Sequence, residues 1–153
     1  MKTIFLSIQS SWACKIFNKL KNVEIRGTEP KVELPCRIVF YCTKNSDSMF
    51  FEDEYYFTAS NRSNAFLNGK VLGECLLTKV ENIFECGVPG EVETCTSSIS
   101  QDALIIRSFI DTLDYLRGKK AWHLENVVAY DVPKSLSDFG LTIAPQSWRY
   151  VES

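Results

Sequence analysis

A chain of 153 residues with 45% hydrophobic and 24% charged residues sits in the ordinary globular range, which excludes fibrous and disordered classes and is enough for one buried core. No apolar run reaches the roughly 20 residues of a membrane span, and a formal net charge of −2 argues against a protein that coats nucleic acid by neutralising phosphates. The charge is uneven: residues 1–44 hold eight Lys/Arg against three Asp/Glu, and residues 45–153 nine against sixteen, so the N-terminal third carries either a basic surface or an ordinary solvated face.

In chain order, "TIFLSI" is a short apolar run of strand formers. Ser7, Gln9 and two further serines interrupt it too early for an export segment, so it reads as a first strand of a cytoplasmic protein. "SSWACKIFNKLK" then switches to helical spacing, with Ala13, Ile16, Phe17 and Leu20 on one face and Ser10 as the expected N-cap. "NVEIRG" alternates, Val23 and Ile25 facing one way and Asn22, Glu24 and Arg26 the other, which predicts a strand whose polar face meets solvent or a cleft. "CRIVFYCTK" is apolar on both faces and is expected inside the sheet.

Residues 45–69 are polar, acidic and aromatic by turns and read as an insertion into a domain spanning 1–153. "GKVLGECLLTKVENI" returns to strand character, with Gly73 marking a bulge or a close approach. A loop over 85–97 precedes the most helical segment, "SQDALIIRSFIDTLDYLRG", where Ile106, Phe109, Ile110, Leu113 and Leu116 trace an apolar stripe that Gly118 ends. "AWHLENVVAYDVP" reads as a strand ended by Pro133, "KSLSDFG" as a turn and "SWRYVE" as a closing strand. Five or so strands and two separated helices, without regular alternation, predict an α+β domain around a barrel-like sheet.

The six cysteines contain no Cys-x-x-Cys pair and read as reduced, buried thiols. His123 is the only histidine, too few for a metal site, and no phosphate-binding glycine loop or nucleophile elbow is present, so neither metal nor cofactor is expected. The chemistry-bearing cluster is Lys21, Glu24 and Arg26. Arg26 offers a planar fork and Lys21 a compact charge, while the bland alternative is a solvated Glu24–Arg26 ion pair. Trp12, Tyr41, Thr43 and Trp148 are candidate ligand contacts, the aromatics as stacking platforms, against ordinary core roles.

The ordered set "FLSI", an amphipathic helix, "KNVEIR", "RIVFYCTK", "GKVLGE" and "WHLENVVAYDVP" resembles the ASCH domain of the PUA-like superfamily, most specifically in the Lys-x-x-Glu-x-Arg pattern at Lys21, Glu24 and Arg26. The resemblance implies a PUA-like β-barrel of five or six strands with two flanking helices, and a cleft beside the first helix holding RNA, a nucleoside or a nucleotide. It also implies a hydrolase alternative acting on RNA or N4-acylated cytidine, in which Lys21 and Glu74 match the family's working lysine and glutamate. Glu24 occupies the family's threonine position and adds a carboxylate to that site. Lys19 stands where many relatives have glycine, so the turn there is expected to shift by one residue, onto Asn18. With two carboxylates near Lys21, its ammonium is expected to stay charged, which favours binding over lysine-based catalysis. A third reading is a protein-interaction adaptor lacking a working site.

Overall fold

The computed structural model describes residues 2–44, 68–83 and 118–152. Within them the chain runs β1 (Lys2–Ile8), α1 (Ser10–Phe17), β2 (Val23–Arg26), β3 (Cys36–Cys42), β4 (Val71–Asn82), β5 (Lys120–Lys134), a single 3₁₀ turn (Leu136–Phe139) and β6 (Trp148–Glu152). The helix expected near 98–118, Cys86, Cys95 and nearly all of the 45–69 insertion lie outside the described residues.

One six-stranded sheet is ordered β2-β5-β4-β3-β1-β6. β1 and β3 pair in parallel and the other neighbours antiparallel. β3 lies between β4 and β1, as its two apolar faces predict. The sheet curls into a half-barrel, in line with the barrel-like sheet expected, and side chains close the gap between its two edges. Trp148 of β6 donates from Nε1 to Thr28 Oγ1 at 3.1 Å, just beyond β2, and its ring lies 5.7 Å from that of Trp122 on β5. Trp122 Nε1 donates to the Thr28 carbonyl at 3.0 Å, and the Lys31 N–H donates to the Tyr150 hydroxyl at 2.7 Å.

The core has two faces. Ile4, Leu6, Ile38, Phe40, Leu72 and Leu77 pack with Ala13, Ile16 and Phe17 of α1 on one. Phe5, Val39, Tyr41, Val71 and Leu141 form the other. Cys14, Cys36, Cys42 and Cys75 are buried and carry no disulfide, as expected, and burial together with neighbouring Cys42 pushes the Cys14 thiol up to about 12.

α1 docks through a close approach at Gly73. A β-carbon there would stand 2.3 Å from the Val128 carbonyl oxygen and 2.6 Å from the Phe17 ring, distances no side chain tolerates. The helix starts one residue earlier than its hydroxyl pattern predicts: Gln9, in extended conformation, is the N-cap and makes no side-chain cap, while Ser10 is already helical. It also ends sooner, at Phe17, so Leu20 leaves the apolar stripe and is exposed.

Candidate functional site

The site begins with how α1 stops. Lys19 N–H donates to Ile16 O at 3.0 Å and Leu20 N–H to Lys15 O at 2.9 Å, which is the Schellman pattern. The residue that must be left-handed is Lys19, at φ 61°; Asn18 stays at φ −85° and donates from Nδ2 to Cys14 O at 2.8 Å. The expected shift of the turn onto Asn18 does not occur, because these two backbone bonds fix the left-handed position one residue later. The Lys21 N–H also donates to Lys15 O, at 3.1 Å, and this folds the chain sharply back into β2.

That reversal buries Lys21 rather than displaying it. The residue is 3% exposed, and its ammonium sits 4.7 Å from the centroid of the Trp12 ring, which also carries the Lys15 ammonium at 4.6 Å. Burial pulls the Lys21 pKa below the ordinary lysine value; Glu24 opposes this, and Arg26 and Lys15 add to it. Lys21 was expected to have two neighbouring carboxylates; Glu24 favours the charged form as expected, Glu74 lies elsewhere, and burial acts against that form.

Glu24 lies on β2 opposite Trp122 and is 8% exposed. Its Oε1 accepts the Ile25 N–H at 3.0 Å, while Oε2 is buried with no hydrogen-bond partner among the described residues. β2 was expected to turn a polar face to solvent or a cleft; Val23, Glu24 and Ile25 are all buried, so that face does not meet open solvent at Glu24. The solvated-pair alternative is therefore inapplicable to Glu24.

Arg26 has a different task from the one its fork suggests. Nη2 donates to Ser7 O at 2.9 Å and Nη1 to Ser147 Oγ at 3.1 Å, so the guanidinium ties β2 to β1 and to the start of β6 across the barrel gap. Its Nε lies 3.9 Å from Glu24 Oε1, which orients the carboxylate. With both terminal nitrogens engaged, Arg26 shapes the site and holds Glu24 more than it presents a free fork.

Glu74 does not join this cluster. Its Oε2 accepts Arg37 Nε at 2.9 Å, Arg37 Nη2, and the Tyr130 hydroxyl at 2.7 Å, with Tyr130 packed on the face opposite α1. Burial pushes the Glu74 pKa up, but these hydrogen bonds outweigh it and the carboxyl titrates below its ordinary value. The condition for a general base, a raised pKa in a dry pocket, is not met. Cross-strand pairing of Val39 with Glu74 accounts for the placement: its side chain shares the face of Val39, not that of Leu72 and Leu77.

Of the remaining candidates, Tyr41 and Thr43 line a separate hollow of about 370 Å³ with Ser7 and residues 142–145. Trp148 serves barrel closure. Trp12 alone among the aromatic candidates joins Lys21 and Glu24, and its partner Lys15, which sequence reasoning missed, was legible as the residue one turn after Trp12 on α1. Among the described residues, no group of His, Cys, Asp and Glu could hold a metal ion, and no helix is long and apolar enough to cross a membrane.

No family model matches the chain, and no curated protein matches it. Solved structures do: the ASCH protein of Zymomonas mobilis is similar with a TM-score of 0.64 at 18% identity, covering 99% of this chain and 88% of that one. A Tyr-to-Phe variant of that protein gives 0.63 at 18%, covering 100% and 92%, and a Ser-to-Ala variant 0.64 at 18%, covering 99% and 89%. At that identity the likeness speaks for architecture, and it extends over nearly the whole chain: this protein has the fold of the ASCH domain.

Proposed function

We propose that this is an ASCH-family protein that binds RNA or a nucleotide at the cluster of Trp12, Lys15, Lys21 and Glu24 beside α1. The observation that carries the reading is the buried Lys21–Glu24 neighbourhood. An ammonium and a carboxylate removed from water destabilise a fold unless their hydrogen bonds are completed, and Glu24 Oε2 has no partner among the described residues. A base with an exocyclic amine completes that oxygen, and a phosphate suits the two ammonium groups gathered on Trp12. The test is a ligand-detected binding screen over nucleosides, nucleotides and short single-stranded RNAs, repeated on Lys21→Met and Glu24→Gln. Binding that both variants weaken supports the reading; binding that neither changes refutes it.

One observation favours a hydrolytic second reading. A lysine whose proton is loosened by burial is closer to a general base or nucleophile than an exposed one. In that reading Lys21 works with Glu24, since Glu74 is engaged elsewhere. Cleavage of RNA or deacylation of N4-acetylcytidine that disappears in Lys21→Ala supports it, and absence of turnover on both substrates removes it.

A further inference from the structure

Among the described residues, only two that are not glycine have a positive φ, Lys19 at 61° and Asn126 at 52°. Both line the same hollow, about 460 Å³, between the end of α1 and β5. Asn126 owes its conformation to a β-bulge: Leu76 pairs with Glu125 and Glu74 with Val128, so Asn126 and Val127 together face the single Cys75 of β4.

Where this chain needs left-handed backbone alone, it uses glycine. At Gly118 and Gly140, both at φ 71°, a β-carbon would meet nothing within 4 Å, so φ is sufficient reason for the residue. Lys19 departs from that habit, at a steric cost that glycine would not carry, whereas asparagine at 126 tolerates the left-handed region. Both residues line one hollow, and glycine at either position would deprive it of an ammonium or an amide.

The hollow's chemistry is mixed in a defined way. Ile16, Leu124 and Val127 give it an apolar floor, and the exposed Asn22 and Asn126 place two amides, each donor and acceptor, at its rim. Lys19 supplies one exposed cation, and Lys21 forms part of the wall it shares with the cluster described above. Exposed Glu125 disfavours a second anion while accepting hydrogen bonds from hydroxyls. The volume falls within the roughly 300–1,000 Å³ of small-molecule sites.

We propose that this hollow holds one nucleoside monophosphate unit, with its base on the apolar floor, the base edge read by Asn22 and Asn126, and its single phosphate on Lys19. The unit is either a free mononucleotide or one residue of an RNA strand. The inference rests on the nucleotide reading of the Lys21 cluster and adds a second subsite to it.

Glycine substitution gives a test that keeps the backbone intact. The full chain is titrated with the four ribonucleoside monophosphates, their nucleosides and a single-stranded hexanucleotide, and backbone amide shifts are followed for wild type, Lys19→Gly and Asn126→Gly. Wild-type shifts are expected at Asn22 and residues 124–128. Asn126→Gly is expected to weaken both nucleosides and nucleotides by about tenfold, and Lys19→Gly to weaken monophosphates about fivefold while sparing nucleosides. Both variants should melt at or above the wild-type temperature. Shifts with mononucleotides identify a free ligand; shifts with the hexanucleotide alone identify an RNA residue, and either supports the proposal. Ligand that moves the Trp12 indole and Glu24–Arg26 but not 124–128 overturns this inference and leaves the Lys21 cluster standing. Absence of any binding overturns both, and a lowered melting temperature in either glycine variant shows that the side chain serves the fold and overturns the proposal.

Discussion

Replacing Lys21 with methionine should stabilise this protein. Lys21 is 3% exposed and its proton is held less tightly than in an unfolded chain, chiefly through burial. Below the folded pKa both states carry the proton, and the folded state bears the full penalty of a buried cation. Between that value and the unfolded one, near 10.4, only the unfolded state is protonated, so stability rises with pH across the window. Each tenfold weakening of proton binding corresponds to about 1.4 kcal/mol at lower pH. The ammonium recovers part of that from Trp12, where a desolvated cation–π contact contributes about 1–2 kcal/mol, and part from Glu24. Methionine keeps the unbranched stem and removes the charge, so the expected net gain at pH 7 is about 1 kcal/mol, shrinking as pH approaches 10. Urea unfolding followed by far-ultraviolet circular dichroism between pH 6 and 10 measures this. A loss of more than about 1 kcal/mol at pH 7, with the wild-type pH slope unchanged, refutes the reasoning and makes Lys21 a structural pillar.

Four further outcomes follow from the same geometry. Lys19→Gly should raise stability by about 1 kcal/mol in denaturant unfolding, because glycine accepts the left-handed position without steric cost. Gly73→Ala should lower it by about 1–3 kcal/mol and loosen α1, read as faster amide exchange over 13–20, since the new methyl collides with Phe17 and the Val128 carbonyl. Arg26→Ala should cost about 2–3 kcal/mol by removing the charged donors to Ser7 and Ser147. Glu74→Gln should leave ligand binding intact while removing stability that the wild type loses as pH falls through the depressed folded pKa of Glu74, a difference visible in acid-unfolding curves.

Much of the fold was legible because it rests on local periodicity. The apolar character of both faces of "CRIVFYCTK" placed β3 inside the sheet, and Gly73 marked a bulge or a close approach, which Phe17 of α1 makes. The site was harder to read because its geometry depends on contacts between residues distant in sequence. Strand alternation put Glu24 on a face meeting solvent or a cleft and could not tell which, and in the fold the residue is buried. The Arg26 side chain pattern matched a ligand fork, yet its acceptors, Ser7 and Ser147, lie 19 and 121 positions away. Glu74 failed for a reason of register: pairing with Val39 commits it to the face of Tyr130, whatever its spacing from Lys21. The left-handed Lys19 was anticipated as a difficulty but not located, because the Schellman bonds that select it appear only once the helix end is fixed at Phe17.

The central claim is that the buried Lys21 neighbourhood exists for a ligand and not for the fold. Fluorescence anisotropy of a labelled single-stranded RNA, measured against wild type and Lys21→Met at matched salt, tests it most directly. The account predicts at least about a tenfold loss of affinity in a variant that is equally or more stable, the signature of a residue kept for function. Equal affinity in a folded Lys21→Met protein would contradict it.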